Sequence, residues 1–269
     1  MTKVVIRFVR ETLAGHLAAG DGRPCPRASS PLAIPEREAE SATTNTVTRG
    51  RIMRVLSINV GLPKEVTWRG MITRTSIFKS PVSGKVRVSK LNLAGDQQSD
   101  LSVHGGIEKA VYTYSSEHYA YWKEELPDFE FPWGVFGENL TTEELLEESV
   151  SIGDRLRIGS AEFVVTQPRQ PCFKLGIRFG RPDMVKRFYR SGRSGFYLAV
   201  LQEGEIESGD PVELIPGEAP SMTIAEVFNL FMADTADPAV LRRASELSGL
   251  SRGWRDDFRQ RLEQMNANS

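Results

Sequence analysis

The side chain with the most chemistry to offer is the thiol of Cys172, held in the run Pro168-Arg169-Gln170-Pro171-Cys172. A second polar run lies upstream, Gly95-Asp96-Gln97-Gln98-Ser99-Asp100 continuing to His104-Gly105-Gly106 and Lys109. A thiolate is a soft ligand suited to a soft or transition metal, and the two prolines restrict the loop that presents it. Arg169 brings a planar guanidinium that suits an anion. Gly105-Gly106 allow positive φ and close approach of a ligand next to His104. Taken alone, such a cysteine is more often a small buried residue and such a histidine a satisfied structural one. His118, the other histidine after the N-terminal segment, shares its stretch with Tyr119 and Tyr121 and is assigned no function.

Three further residues join them. Lys79 precedes a rigid turn in Lys79-Ser80-Pro81-Val82, Asn139 lies in the glycine-punctuated run Gly134 to Leu140, and Arg193 in Arg190-Ser191-Gly192-Arg193-Ser194-Gly195. Each by itself is an ordinary loop residue, and neither a GxGxxG fingerprint nor a P-loop is present. Their sum is more specific: a soft thiolate, a histidine and several cations on loops suit a phosphate-bearing, metal-containing ligand.

The elements that must position these residues are read from pattern. Residues 1–52 are rich in Gly, Pro, Ser, Thr and Ala with little apolar periodicity, so a disordered extension is expected, with Met53 as an alternative start. Residues 53–216 show short apolar runs between turns, as in Met53 to Val60, Gly84 to Leu93, Ala110 to Tyr114, Val150 to Ile158, Ala161 to Thr166 and Phe196 to Leu201, which argues for a β-rich domain. Similar turns at Ile152-Gly153-Asp154 and Ser208-Gly209-Asp210 each lead into a strand pattern. Helices are expected at Ser116 to Leu126 and Asp183 to Ser191. Residues 217–269 change to helical periodicity. Thr223 to Glu226 reads as a capping box, Asp237-Pro238 as an N-cap before a proline, and Trp254, Phe258 and Leu262 as one buried stripe, so a small three-helix domain is expected.

Composition excludes several classes. Lys plus Arg number 34 against 35 Asp plus Glu, so no field favours nucleic acid or an anionic membrane as partner. Two cysteines without CxxC spacing make neither a disulfide framework nor a zinc site, which points to a reducing, cytoplasmic setting. No apolar run approaches the roughly 18 residues of a membrane span.

Lys79-Ser80-Pro81-Val82, Gly95-Asp96 with Gln98 and Asp100, His104-Gly105-Gly106 with Lys109-Ala110-Val111-Tyr112, Gly137-Glu138-Asn139-Leu140, and Pro168 to Cys172 with Lys174 together resemble the MOSC domain of the YiiM-type subgroup. Residues 221–269 resemble the three-helix domain that follows it there. The resemblance implies an α+β, predominantly β fold, a MOSC-type β-barrel with that helical appendage. It also implies binding of the molybdenum cofactor (molybdopterin) and cytoplasmic chemistry independent of pyridoxal phosphate. Cys172 would be the metal ligand. Arg169 and Lys79 would meet the phosphate and pterin, and His104 would contact the cofactor or move a proton. Asn139 and Arg193 would make weaker cofactor or substrate contacts, and Asp100 would orient a neighbour. By analogy the reaction is reduction of N-hydroxylated bases such as 6-hydroxylaminopurine. No flavin, haem or iron–sulfur motif is present, so a separate electron-donor reductase is implied; a homodimer is the oligomeric expectation. Two departures stand out: Phe173 where relatives often carry tryptophan, and Ala199 where arginine is common.

Two other readings remain open from the residues. One is a carrier that delivers the cofactor, or sulfur on Cys172, without turnover of its own. The other is a cofactor-free cysteine enzyme using Cys172 and His104 as nucleophile and base.

Overall fold

Twelve strands and six helices organise the chain in a computed structural model that describes residues 52–99, 105–218 and 221–267. The expected N-terminal extension, Asp100 and His104 lie outside the described residues. The strands are β1 (Arg54–Val60), β2 (Lys64–Trp68), β3 (Met71–Thr75), β4 (Ser80–Val82), β5 (Val86–Val88), β6 (Val111–Ser115), β7 (Leu140–Glu143), β8 (Arg155–Ile158), β9 (Ala161–Pro168), β10 (Phe196–Gln202), β11 (Gly204–Ile206) and β12 (Val212–Ile215). The helices are α1 (Glu117–Glu125), α2 (Phe173–Phe179), α3 (Met184–Ser191), α4 (Ile224–Met232), α5 (Pro238–Glu246) and α6 (Arg252–Ala267).

Eight strands form one mixed sheet in the order β12-β8-β9-β10-β6-β7-β1-β4, while β2–β3 and β5–β11 are separate two-stranded ribbons. β6 and β7 are the parallel pair. Parallel neighbours need a crossover, and here α1 with its following loop supplies it. The α+β, β-rich class is as expected, but among the described residues no strand pair closes the sheet into a barrel. β4 occupies one edge of β1 at Ile58 to Val60, so only the start of β1 can meet the far end of the sheet. The contact there is one bridge, Arg54 to Pro211, with three backbone bonds, Val55 N–H to Asp210 O (3.0 Å), Gly209 N–H to Val55 O (2.7 Å) and Val212 N–H to Met53 O (2.8 Å).

Trp122, Tyr114, Phe136 and Phe188 are fully buried between α1, α3 and the sheet, where they form an aromatic core. The two expected turns pivot on Gly153 and Gly209, both at positive φ. The Thr223 hydroxyl accepts from Glu226 N–H while the Glu226 carboxylate accepts from Thr223 N–H, completing the capping box. Asp237 caps α5 ahead of Pro238. This tail is tied to the sheet by Ile152 N–H to Met222 O and Ile224 N–H to Val150 O, both 2.9 Å. No helix among the described residues is long and apolar enough to cross a membrane.

Two elements depart from the pattern reading. The span Gly84 to Leu93 narrows to the three residues of β5, followed by a turn that Val88 and Leu93 bridge. The segment after Cys172 forms α2, too short for a periodic signal and interrupted by Gly176. A Cβ at Gly176 would stand 2.9 Å from the Arg181 carbonyl, and burial of Leu175, Ile177 and Phe179 supplies the driving force that helix propensity lacks.

Candidate functional site

A polar cleft opens beside β6 and β10, between the segment that precedes β4 and the loop that follows β9, and Cys172 lines it together with Lys79, Lys109, Tyr112, Arg169, Lys174 and Tyr197. Cys172 itself is half-buried, in extended conformation between the end of β9 and the first residue of α2. Arg169 N–H donates to Gly195 O at 3.2 Å and Leu175 N–H to Cys172 O at 2.9 Å, anchoring the chain on both sides of the thiol.

Lys79 is buried and ion-paired with Asp96, itself buried. The Asp96 carboxylate also accepts from Gly61 N–H and from Asn139 Nδ2, each at 2.9 Å. Burial pushes the Lys79 ammonium below its ordinary pKa, and Asp96 opposes that shift. Asn139 is engaged at both ends of its amide. Its Oδ1 accepts from Tyr112 N–H (3.1 Å), and its Nδ2 donates to Asp96 and to Asn59 O (3.3 Å). Its place in the cleft wall is therefore that of a brace between β1, β6 and the Asp96 loop.

Arg169, expected as an anion ligand, is buried with Nη1 donating to Phe136 O at 2.5 Å and its guanidinium 4.5 Å over the Tyr112 ring. Tyr112 donates its hydroxyl to Ser194 O at 2.9 Å. Burial raises the pKa of Tyr112 and Tyr197, with Arg169 opposing, so both phenols stay neutral at physiological pH. Burial lowers that of Lys109, with Glu108 and then Cys172 opposing, which places Lys109 in the field of the thiol. Lys174 reaches Ser99 Oγ at 3.3 Å.

The structure thus brings Lys79, Asn139, Arg169 and Cys172 together around one cleft. It does not bring Arg193 there: its guanidinium lies 3.9 Å over the Tyr121 ring and donates to Ser191 O at 2.9 Å. His118 pairs with Glu147 at 2.7 Å and is not part of the cleft lining. Phe173 is half exposed (50%) beside Cys172, and Ala199 falls on the same strand face as Tyr197. Neither Asp96 nor Ser76 is assigned a role by the sequence pattern. A glycine followed by aspartate before a polar run is a weak cue for the first. For Ser76 there is no sequence cue; its hydroxyl is buried in the cleft wall with no hydrogen-bond partner among the described residues.

The donor set fits the cofactor that the resemblance implies. Four cations and an unpartnered buried hydroxyl suit a phosphate-bearing group. Among the described residues no cluster of three His, Cys, Asp or Glu could hold a metal; a metal bound through the Cys172 thiol would need further donors from its own ligand.

The MOSC domain model matches residues 100–213, and the model described as YiiM-like, 3-alpha helix domain matches residues 222–264. The chain is 36% identical to YflK of Bacillus subtilis over 211 residues, covering 78% of this chain and 95% of that protein. It is 34% identical to the protein YiiM of Escherichia coli, covering 67% and 81%. A Gibberella moniliformis protein named Reductase is 34% identical, but the match spans only 35% of its length. Among solved structures, YiiM from Geobacillus stearothermophilus superposes with a TM-score of 0.67 at 37% identity, covering 78% of this chain and 99% of that one. YiiM from Escherichia coli superposes with a TM-score of 0.63 at 27% identity, covering 78% and 93%. Motifs, sheet and helical tail together identify the chain as a member of the MOSC family, in its YiiM-like branch with a C-terminal three-helix domain.

Proposed function

We propose that this protein binds the molybdenum cofactor in the Cys172 cleft and reduces N-hydroxylated purines and related N-hydroxy compounds, with electrons from a separate donor. The single observation that carries the reading is a half-buried thiol in a cleft walled by Lys79, Lys109, Arg169 and Lys174. Residues 53–216 form the cofactor-binding part and 217–269 its helical appendage, and the reduced thiol suits the cytoplasm.

The cofactor, when bound, supplies the two-electron redox chemistry. Cys172 would ligate the metal as thiolate. Lys79, held in place by Asp96, and Lys109 and Lys174 would meet phosphate oxygens, while Arg169 supports the wall through Tyr112 and Phe136 and would offer its remaining donors to the ligand. His104, outside the described residues, is the candidate to move a proton to the leaving hydroxyl. The reaction breaks one N–O bond and forms one N–H bond, consuming two electrons and two protons and releasing water.

Metal and pterin analysis of protein made in a host that synthesises the cofactor tests the reading, with Cys172→Ser beside it. Stoichiometric molybdenum and pterin, lost in the folded variant, are expected. Full molybdenum content in C172S would overturn the ligand assignment. Cofactor transfer to an acceptor enzyme, without reduction of 6-hydroxylaminopurine, would favour the carrier role instead.

A further inference from the structure

Away from the Cys172 cleft, a second depression of about 240 Å³ is lined by Tyr121, Glu125, Asp183, Lys186, Arg187 and Arg190. Its carboxylates are already committed. Asp183 accepts from Arg181 (3.1 and 3.0 Å) and from Arg187 (2.8 Å), and Glu125 accepts from Arg187 (3.0 Å). Those bonds, first from Arg181 and then from Arg187, hold the Asp183 carboxyl down to about 2, so it stays anionic and matched. Two arginines and two carboxylates therefore balance, while Lys186 and Arg190 make no ion pair among the described residues. Arg193 adds a third positive charge, stacked on Tyr121 at the same face. In a chain of net charge −1, this is a local basic surface centred on an aromatic ring.

The same ring is the outer end of a continuous path to the Cys172 cleft. Tyr121 stands 5.0 Å from Trp122 by ring centroids, and Trp122 Nε1 donates to the Tyr114 hydroxyl at 2.7 Å. Tyr114 lies 6.2 Å from Tyr112, which lines the cleft with Tyr197 at 5.2 Å. A second route is shorter in parts: Arg193 precedes Ser194, whose carbonyl accepts the Tyr112 hydroxyl at 2.9 Å. Electron tunnelling falls off more slowly through bonded, hydrogen-bonded and closely packed atoms than across gaps. The neutral, buried phenols serve as that medium and are not themselves oxidised.

We propose that the face formed by Tyr121, Lys186, Arg190 and Arg193 docks an acidic electron-carrier protein and that its electrons reach the Cys172 cleft past Trp122, Tyr114 and Tyr112. The inference rests on the reductase reading above and names where its missing reductant binds. Two one-electron deliveries by a flavin or iron–sulfur carrier balance one turnover, with two protons taken up, the N–O bond cleaved and water released.

The test uses the full-length, molybdenum-loaded protein and an acidic [2Fe–2S] ferredoxin as probe. Lys186→Glu with Arg190→Glu reverses the face. Arg69→Glu with Arg74→Glu, at the β2–β3 ribbon, makes the same change in net charge elsewhere. Ferredoxin should bind the parent and the control pair alike at low salt, bind K186E/R190E about tenfold or more weakly, and lose the difference as salt rises. Ferredoxin-driven turnover should fall in parallel, while turnover driven by reduced methyl viologen stays unchanged in all three proteins. Equal affinity of the three for ferredoxin, or no binding, overturns the docking face. Binding of NADPH at this face in place of ferredoxin overturns it in favour of a small anion. Absent viologen-driven turnover in molybdenum-containing protein overturns the reductase reading separately, and ferredoxin binding then still decides the surface.

Discussion

Asp96 accepts from Lys79, Asn139 and the Gly61 amide within a buried wall of the cleft, so its carboxylate is the counterion that lets an ammonium sit there at all. Asp96→Ala leaves that ammonium buried and unpaired. The expected cost is about 3–5 kcal/mol in urea denaturation, with Asp96→Asn losing less because it keeps an acceptor. Equal stability of D96A and the parent would show that Lys79 finds water instead. Lys109 faces the thiol electrostatically, so its charge favours the thiolate. Alkylation of Cys172 by iodoacetamide in the cofactor-free protein should slow about threefold to tenfold in Lys109→Met; an unchanged rate would remove the coupling. Cys172, Lys79 and Arg169 were legible in the sequence because reactive and charged side chains next to prolines stand out. The engagement of Arg169 with Phe136 and Tyr112 was not, since both partners come from distant parts of the chain.

Two elements predict opposite consequences for the site. The Thr223 capping box holds the start of α4, far from the thiol in the contacts it makes, so Thr223→Ala should cost about 1 kcal/mol and leave molybdenum content unchanged. Gly195, the residue just before β10, has φ +59°, and a Cβ there would meet Thr113 O at 2.5 Å and the Tyr112 ring at 2.8 Å. Gly195→Ala should therefore displace Tyr112 and the Gly195 carbonyl that receives Arg169 N–H, costing about 2 kcal/mol or more and lowering cofactor content as well. Thermal denaturation with metal analysis separates the two; a G195A protein with full molybdenum would show that the cleft tolerates a shifted β10. The cap and the Asp237-Pro238 start were readable from a few adjacent residues. The short α2 was not, because packing of Leu175, Ile177 and Phe179 stabilises a segment that its own propensity does not.

Over the whole molecule, one buried pair should contribute to acid sensitivity alongside the Asp183 carboxyl, which is also held low. Glu147 accepts from Gly195 N–H at 2.6 Å and stands 2.7 Å from His118 Nε2, joining α1 to the loop before β10. Burial alone would raise its carboxyl, but the His118 bond and charge and the Gly195 amide hold it below the ordinary 4.5. A folded value below the unfolded one means that the stabilisation is fully present above about pH 4.5 and drains away as pH falls through the folded value. Glu147→Gln should flatten the acid limb of a pH series of unfolding free energies, and an unchanged limb would assign it to other carboxylates.

Local order was available before any coordinates. Turns at Gly153 and Gly209, the Thr223 cap, the Trp254 and Phe258 stripe and the cysteine loop each follow from the steric or hydrogen-bonding demands of a few neighbouring residues. Assembly was of a different kind. The parallel pairing of β6 with β7 sets Asn139 beside Tyr112, the blocked edge of β1 keeps the sheet from closing by strand pairing, and Arg193 turns away from the thiol onto Tyr121. None of these is encoded within one segment. Each arises when surfaces remote in sequence compete for burial and for hydrogen-bond partners, and that competition is settled only in the folded chain.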